Sequence, residues 1–167
     1  MGKVLMIIAP KNFRDEELFH AKEELESSGN SITIASTTTD TATGMLGGTA
    51  KPDMTINDVD VDNYDAIVFV GGPGSSIYFN NPKAHEIARN AYDKGKLIGA
   101  ICIAPSTLAN AGLLSGKRVT SWPSEESNLK SKGANYTGSP VEKDGNIITA
   151  DGPNSAREFG RTIAKSL

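Results

Sequence analysis

The chain predicts an α/β fold: a doubly wound, mostly parallel sheet with helices on both faces. Three observations carry that prediction. Near-continuous apolar runs recur at residues 4–9, 66–70 and 97–101, as strands buried on both faces require. Between such runs lie segments with apolar residues at helical spacing, among them Leu18, Ala21 and Leu25. The two kinds of segment alternate without repeats, low-complexity tracts or linkers, which is the signature of βαβ crossovers. In such a sheet ligands bind beyond the carboxyl ends of the strands.

Taken in order, residues 4–9 form the first core strand, and Pro10 to Phe13 a loop. A helix is expected over 15–28, with Gly29 as its C-terminal stop. Asp15, Glu16 and Glu17 crowd its first turn, where acids complement the helix dipole. Glu17 also stands beside the Leu18/Ala21/Leu25 stripe, so a half-buried carboxylate with acid–base capacity is a second reading of that residue. A strand over 32–35 follows. The polar, Gly-rich stretch 37–60 reads as a loop with a small hairpin, and 54–56 as a short extra strand.

The strand at 66–70 runs into Gly71-Gly72-Pro73-Gly74. Neither the dinucleotide fingerprint nor a Walker A loop is matched. Paired glycines here bring backbone N–H groups close to a reacting group, or simply make a tight turn. A helix over 82–94 leads to the strand Leu97–Ile101 and to Cys102, the only cysteine. Ala100 and Ala104 flank it, and a helix starts near Ala104, so the pattern is that of a nucleophile elbow. N–H groups at that helix start are expected to lower the thiol pKa. The alternative is a small buried hydrophobe. Beyond it come a strand at 118–120, a short helix at 125–131, a weak strand at 134–137, a hairpin turning at 143–146 and a last helix at 154–165.

At 167 residues the chain is expected to form one domain, 1–167, and the lone cysteine excludes an intramolecular disulfide framework and suggests a reducing, cytoplasmic setting. A net charge of −3 gives no footprint for nucleic acid or an anionic membrane, and no apolar run approaches the length of a membrane span. His20 and His85 are the only histidines. His20 lies on the Glu17 side of its helix, but a surface or satisfied helix histidine is its preferred reading, and a surface position that of His85. With no His/Cys cluster, no metal site is expected.

Phe13…Glu17, Gly71-Gly72, Ala100-Ile101-Cys102-Ile103-Ala104-Pro105 and the segment from Val141 to Thr149 together resemble the ThiJ/PfpI superfamily over the whole chain. That group includes intracellular protease-like proteins and the Parkinson-disease-associated deglycase. The resemblance implies a flavodoxin-like, class I glutamine amidotransferase-like sandwich, no organic cofactor, and assembly into a homodimer or larger homo-oligomer. It casts Cys102 as nucleophile, Glu17 as the acid beside it, and Gly72 with the Ile103 N–H as an oxyanion-type site. Gly71 and Trp122 would line the pocket. Three departures stand out: Ile103 and Trp122 occupy positions where members carry histidines, and Arg14 stands where many protease-like members carry a second acid.

Three functions follow as expectations. The first is a cofactor-independent cysteine enzyme acting on a small aldehyde or ketoaldehyde, of glyoxalase or deglycase type. The second is a non-enzymatic redox-sensing stress protein or chaperone. The weakest is a peptidase, for want of a histidine partner.

Overall fold

The computed structural model describes residues 1–167. Its main sheet is built from β1 (Lys3–Ile7), β3 (Ser31–Ser36), β6 (Met54–Thr55), β7 (Ala66–Phe69), β8 (Leu97–Ile101), β11 (Val141–Asp144) and β12 (Ile147–Ala150). Their spatial order is β11-β12-β8-β7-β1-β3-β6, and every pairing is parallel except β11 with β12. The fold class is the predicted doubly wound α/β. From β1 the chain winds outward to β3, then crosses back to β7 and winds the other way. The winding reverses between β1 and β7, which leaves a crevice at their carboxyl ends.

Alternation along each central strand feeds two separate cores. Leu5, Ile7, Ile67, Phe69, Ile98 and Ala100 face one layer, where α2 (Pro82–Asp93), α3 (Pro105–Asn110) and α4 (Glu126–Ser131) pack. Val4, Met6, Ile8, Val68 and Ile101 face the other, covered by α1 (Asp15–Ser27) and α5 (Ala156–Ser166). This period-two division explains why the strands read as unbroken apolar runs. Phe159 of α5 is fully buried, and Gly99 of β8 leaves it room: a methyl group there would meet the Phe159 ring at 2.9 Å.

Several expectations need correction. Residues 11–13, read as loop, form β2 (Lys11–Phe13), which pairs with β4 (Ala42–Gly44); β4 in turn pairs with β5 (Thr49–Ala50) as a second, three-stranded sheet. The predicted excursion is therefore a hairpin fastened to the segment before α1. β9 (Arg118–Val119) and β10 (Asn135–Tyr136) pair with each other, apart from the main sheet. Single 3-10 turns precede α4 and α5, moving their first α-helical residues to Glu126 and Ala156. No helix is long and apolar enough to cross a membrane.

Replacing Phe159 by Ala empties a closed site between α5 and β8. Unfolding free energy from chemical denaturation is expected to fall by about 3–5 kcal/mol.

Candidate active site

Three chain crossings meet at the crevice. The first is the start of α1. Arg14 is its N-cap residue, and its N–H donates to the carbonyl of Gly71 at 2.9 Å, pinning the helix to the end of β7. Glu17 falls on the helix face that also carries Leu18, Ala21 and Leu25, so its side chain points into the core. The sequence suggested half-burial; in the structure its exposure is 0%. Neither carboxyl oxygen has a hydrogen-bond partner that meets ordinary geometric limits.

The second crossing is the turn after β7. A methyl group on Gly71 would lie 2.5 Å from the Ile101 carbonyl oxygen and 2.6 Å from Cys102 Cβ, and would collide with Glu17 Oε1. Only glycine lets these three groups close on one point. Gly72 has φ +98°, a conformation that favours glycine, and a side chain there would strike the Arg14 backbone.

The third is Cys102, at φ +65° between β8 and α3, one of two non-glycine residues in the left-handed region. Such a backbone costs about 1–3 kcal/mol and persists only where its surroundings hold it. Here they do: Cys102 N–H donates to Ala150 O at 2.9 Å, and its carbonyl accepts from Trp122 N–H at 2.8 Å. Pro105 opens α3 with φ already set for a helix and no N–H to leave unsatisfied. The result is a strained strand-to-helix elbow of the predicted kind, with Cys102 9% exposed.

The electrostatics differ from the sequence expectation. Burial pushes the Glu17 carboxyl up to about 8, with the Cys102 thiol, Arg14 and the Gly71 backbone only partly offsetting it. The thiol is near enough to favour the carboxylate without completing a hydrogen bond. Cys102 itself is pushed up to about 12, first by burial and then by negative charge at Glu17. The Gly72 and Ile103 N–H groups do favour the thiolate, but they are outweighed. Neither of these N–H groups donates to a backbone carbonyl. At neutral pH the pair therefore holds both protons.

The thiol opens into a cleft of about 330 Å³ whose lining includes Glu17, Gly72, Cys102, Ile103 and Trp122, all singled out from sequence, with Gly71 just behind. Trp122 is 47% exposed and forms an outer wall. Sequence reasoning missed Met45, Pro73, Ser124 and Pro153, and met Arg14 only as a departure. Pro153 follows the carboxyl end of β12, where the rule for such sheets places binding residues. Met45 sits in an apolar pair between glycines, the one signal that the hairpin carried. His20 and His85 do not line the cleft. His85, expected at the surface, is partly buried with Nε2 2.7 Å from the Phe79 carbonyl oxygen. No group of three or more His, Cys, Asp or Glu side chains is placed to hold a metal ion.

A doubly wound sheet with a cysteine elbow one strand from its switch point, an acid delivered by the first helix and paired glycines between them defines the class. The model of the DJ-1/PfpI family matches residues 2–166, and the chain belongs to that family. It is 47% identical over 99% of its length to an uncharacterised protein of Methanocaldococcus jannaschii, covering 82% of that protein. It is 33% identical to the deglycase PH1704 of Pyrococcus horikoshii, covering 99% of both chains. It is 28% identical to the glutathione-independent glyoxalase DJR-1.2 of Caenorhabditis elegans, over 98% of this chain and 87% of that one. Among solved structures, the ThiJ/PfpI domain protein of Brachyspira murdochii superposes with a TM-score of 0.96 at 33% identity, covering 99% and 97% of the two chains.

The buried acid has a thermodynamic signature. With its folded pKa raised from 4.5 to about 8, the native state keeps a proton that the unfolded state has released. Stability is expected to fall as pH rises from about 4.5 to 8 and to level off above, by on the order of 4 kcal/mol from this group. Glu17→Gln removes that dependence. Denaturation at pH 5 and pH 8 should show the variant gaining on the parent protein as pH rises.

Proposed function

We propose that this protein is a cofactor-independent enzyme acting on small reactive carbonyls, with Cys102 as nucleophile and Glu17 as proton carrier. The observation that carries the reading is a fully buried carboxyl group, both oxygens unpartnered, set against the thiol of a strained elbow. An unsatisfied buried acid costs several kcal/mol and is kept where it does chemistry. The names of the deglycase and glyoxalase relatives support the same class of substrate.

The pair titrates as a unit. Loss of its first proton leaves the charge mainly on Glu17, whose carboxylate takes the thiol proton as sulfur attacks, while the Gly72 and Ile103 N–H groups favour the developing thiolate. The thiolate then attacks the aldehyde carbon of a compound such as methylglyoxal. The S–C bond forms, the carbonyl π pair moves to oxygen, and the same N–H groups lie nearest that oxyanion. Glu17 supplies the proton that completes the hemithioacetal, then as carboxylate takes the proton from the former aldehyde carbon and returns it to the adjacent one, while the hydroxyl proton passes to the neighbouring oxygen and leaves a thioester carbonyl. Hydrolysis of the resulting thioester frees lactate. The net change is addition of water to methylglyoxal, with no external oxidant or reductant. Work in the cytoplasm, as a homodimer or larger assembly, belongs to the same reading.

A peptidase triad is not favoured, because neither histidine lines the cleft. The test is lactate formation from methylglyoxal by purified protein beside Cys102→Ala and Glu17→Gln. Turnover is expected in the parent protein, with losses of at least 100-fold in both variants. Absence of lactate from the parent protein overturns the reading. Cys102 oxidised by mild peroxide in a protein without turnover would replace it with the redox-sensor function.

The same pair predicts a pH profile. Glu17 must release its own proton before it can take that of the thiol, so alkylation of Cys102 by iodoacetamide should rise with pH through a midpoint near 8. In Glu17→Gln the acceptor for the thiol proton is gone while burial still opposes the thiolate. The rise near pH 8 should vanish, leaving only the thiol's own ionisation, which lies below its parent value of about 12 once the facing charge is removed.

A further inference from the structure

Arg14 is the one charged side chain of the cleft at neutral pH. Glu17 keeps its proton there, and the other lining side chains are neutral. The guanidinium is fixed rather than free: Nε donates to Glu16 Oε1 at 2.8 Å and Nη2 to Glu16 Oε2 at 2.9 Å, a two-point clamp. Glu16 does not line the cleft, so the clamp holds the cation from outside. Of the five guanidinium N–H groups, two go to Glu16. The remaining three have no oxygen acceptor, and the only hydrogen bond Nη1 makes is to the weak acceptor Met45 Sδ at 3.7 Å. A fixed, desolvated-on-one-side guanidinium with spare donors suits a carboxylate.

The neighbouring surface sharpens the preference. A second cleft adjoins the first across Trp122 and Pro153, and it carries Asp151 and Glu158. An anionic compound is thus repelled from one side of Trp122 and accepted on the other.

We infer that Arg14 is a specificity residue, and that the thiol cleft takes carbonyl compounds bearing a carboxylate at the end that does not react, in preference to neutral aldehydes of the same size. The inference rests on Cys102 being the group that meets the substrate, as proposed above. It deepens that reading by assigning the end of the molecule that does not react.

The test uses two alkylating agents that differ in that end alone. Iodoacetate and iodoacetamide both react by attack of sulfur on the CH2 carbon; the S–C bond forms, iodide leaves, and the thiol proton passes to Glu17 or solvent. Cys102 is the only cysteine, so mass spectrometry of the intact chain reports it alone. The readout is the ratio of the iodoacetate rate to the iodoacetamide rate, in which any change in thiol ionisation cancels. In the parent protein the iodoacetate rate should saturate with reagent concentration. In Arg14→Gln the ratio should fall about tenfold, and in Arg14→Lys by less. Glu16→Gln, which keeps the charge but loosens it, should give an intermediate ratio.

A ratio that moves by less than twofold in Arg14→Gln overturns the inference, as does an equal drop in both rates. Because no turnover is needed, the two proposals fail separately. A preserved iodoacetate preference without lactate formation sinks only the carbonyl enzyme, and lactate formation without the preference sinks only the role of Arg14.

Discussion

The site depends on a space in which no side chain fits. Glu17, the Ile101 carbonyl and the Cys102 side chain all crowd the position that a methyl group on Gly71 would take. Because that position is open, the end of β7 lets the first helix and the elbow close on each other. The contact brings a carboxyl and a thiol together out of water, where neither ionises readily. Burial therefore sets the protonation of the pair before any nearby charge or dipole acts. Both strained elements, the left-handed cysteine and the unpartnered acid, are unfavourable taken alone. They are held by two apolar layers that extend along every central strand.

Much of this was legible in the chain. The buried strands showed as apolar runs, and the elbow as small residues around the only cysteine. Glu17 showed as an acid adjoining an apolar stripe. What stayed hidden was set by tertiary contacts. Residues 11–13 and 42–50 form strands of two or three residues, too short to show alternation, and pair only because the chain passes them side by side. The thiol pKa was misread for a similar reason. N–H groups at a helix start are a local feature and were seen. What outweighs them is burial by the surrounding fold and the facing carboxylate of α1, about 85 residues away in the chain. His85 was read as a surface residue because its partner, the Phe79 carbonyl, belongs to a turn that sequence does not foretell.

The residues around the thiol have a common effect. Ile103 follows the cysteine, Trp122 stands before the later proline, and no imidazole lines the cleft. The ionisable neighbour left to the thiol is Glu17, while Trp122 adds an apolar, half-exposed wall. The wall also parts the thiol cleft from an acidic one, so the same residue shapes both the cleft and the surface beyond it.

Asp15 fastens the rim of the site in a way that matters for variation. Its two carboxylate oxygens accept from Leu46 N–H at 2.8 Å and Gly48 N–H at 2.7 Å, and the Met45 N–H donates to the Phe13 carbonyl at 2.9 Å. The backbone of the hairpin is thereby secured through groups that owe nothing to the side chain at position 45, although that side chain lines the cleft. Position 45 is thus a place where lineages, or a mutant library, can reshape the entrance residue by residue while the loop that carries it keeps its course. Diversity in what the cleft admits and constancy in what its floor does are separable in this scaffold, and the separation is made by one aspartate.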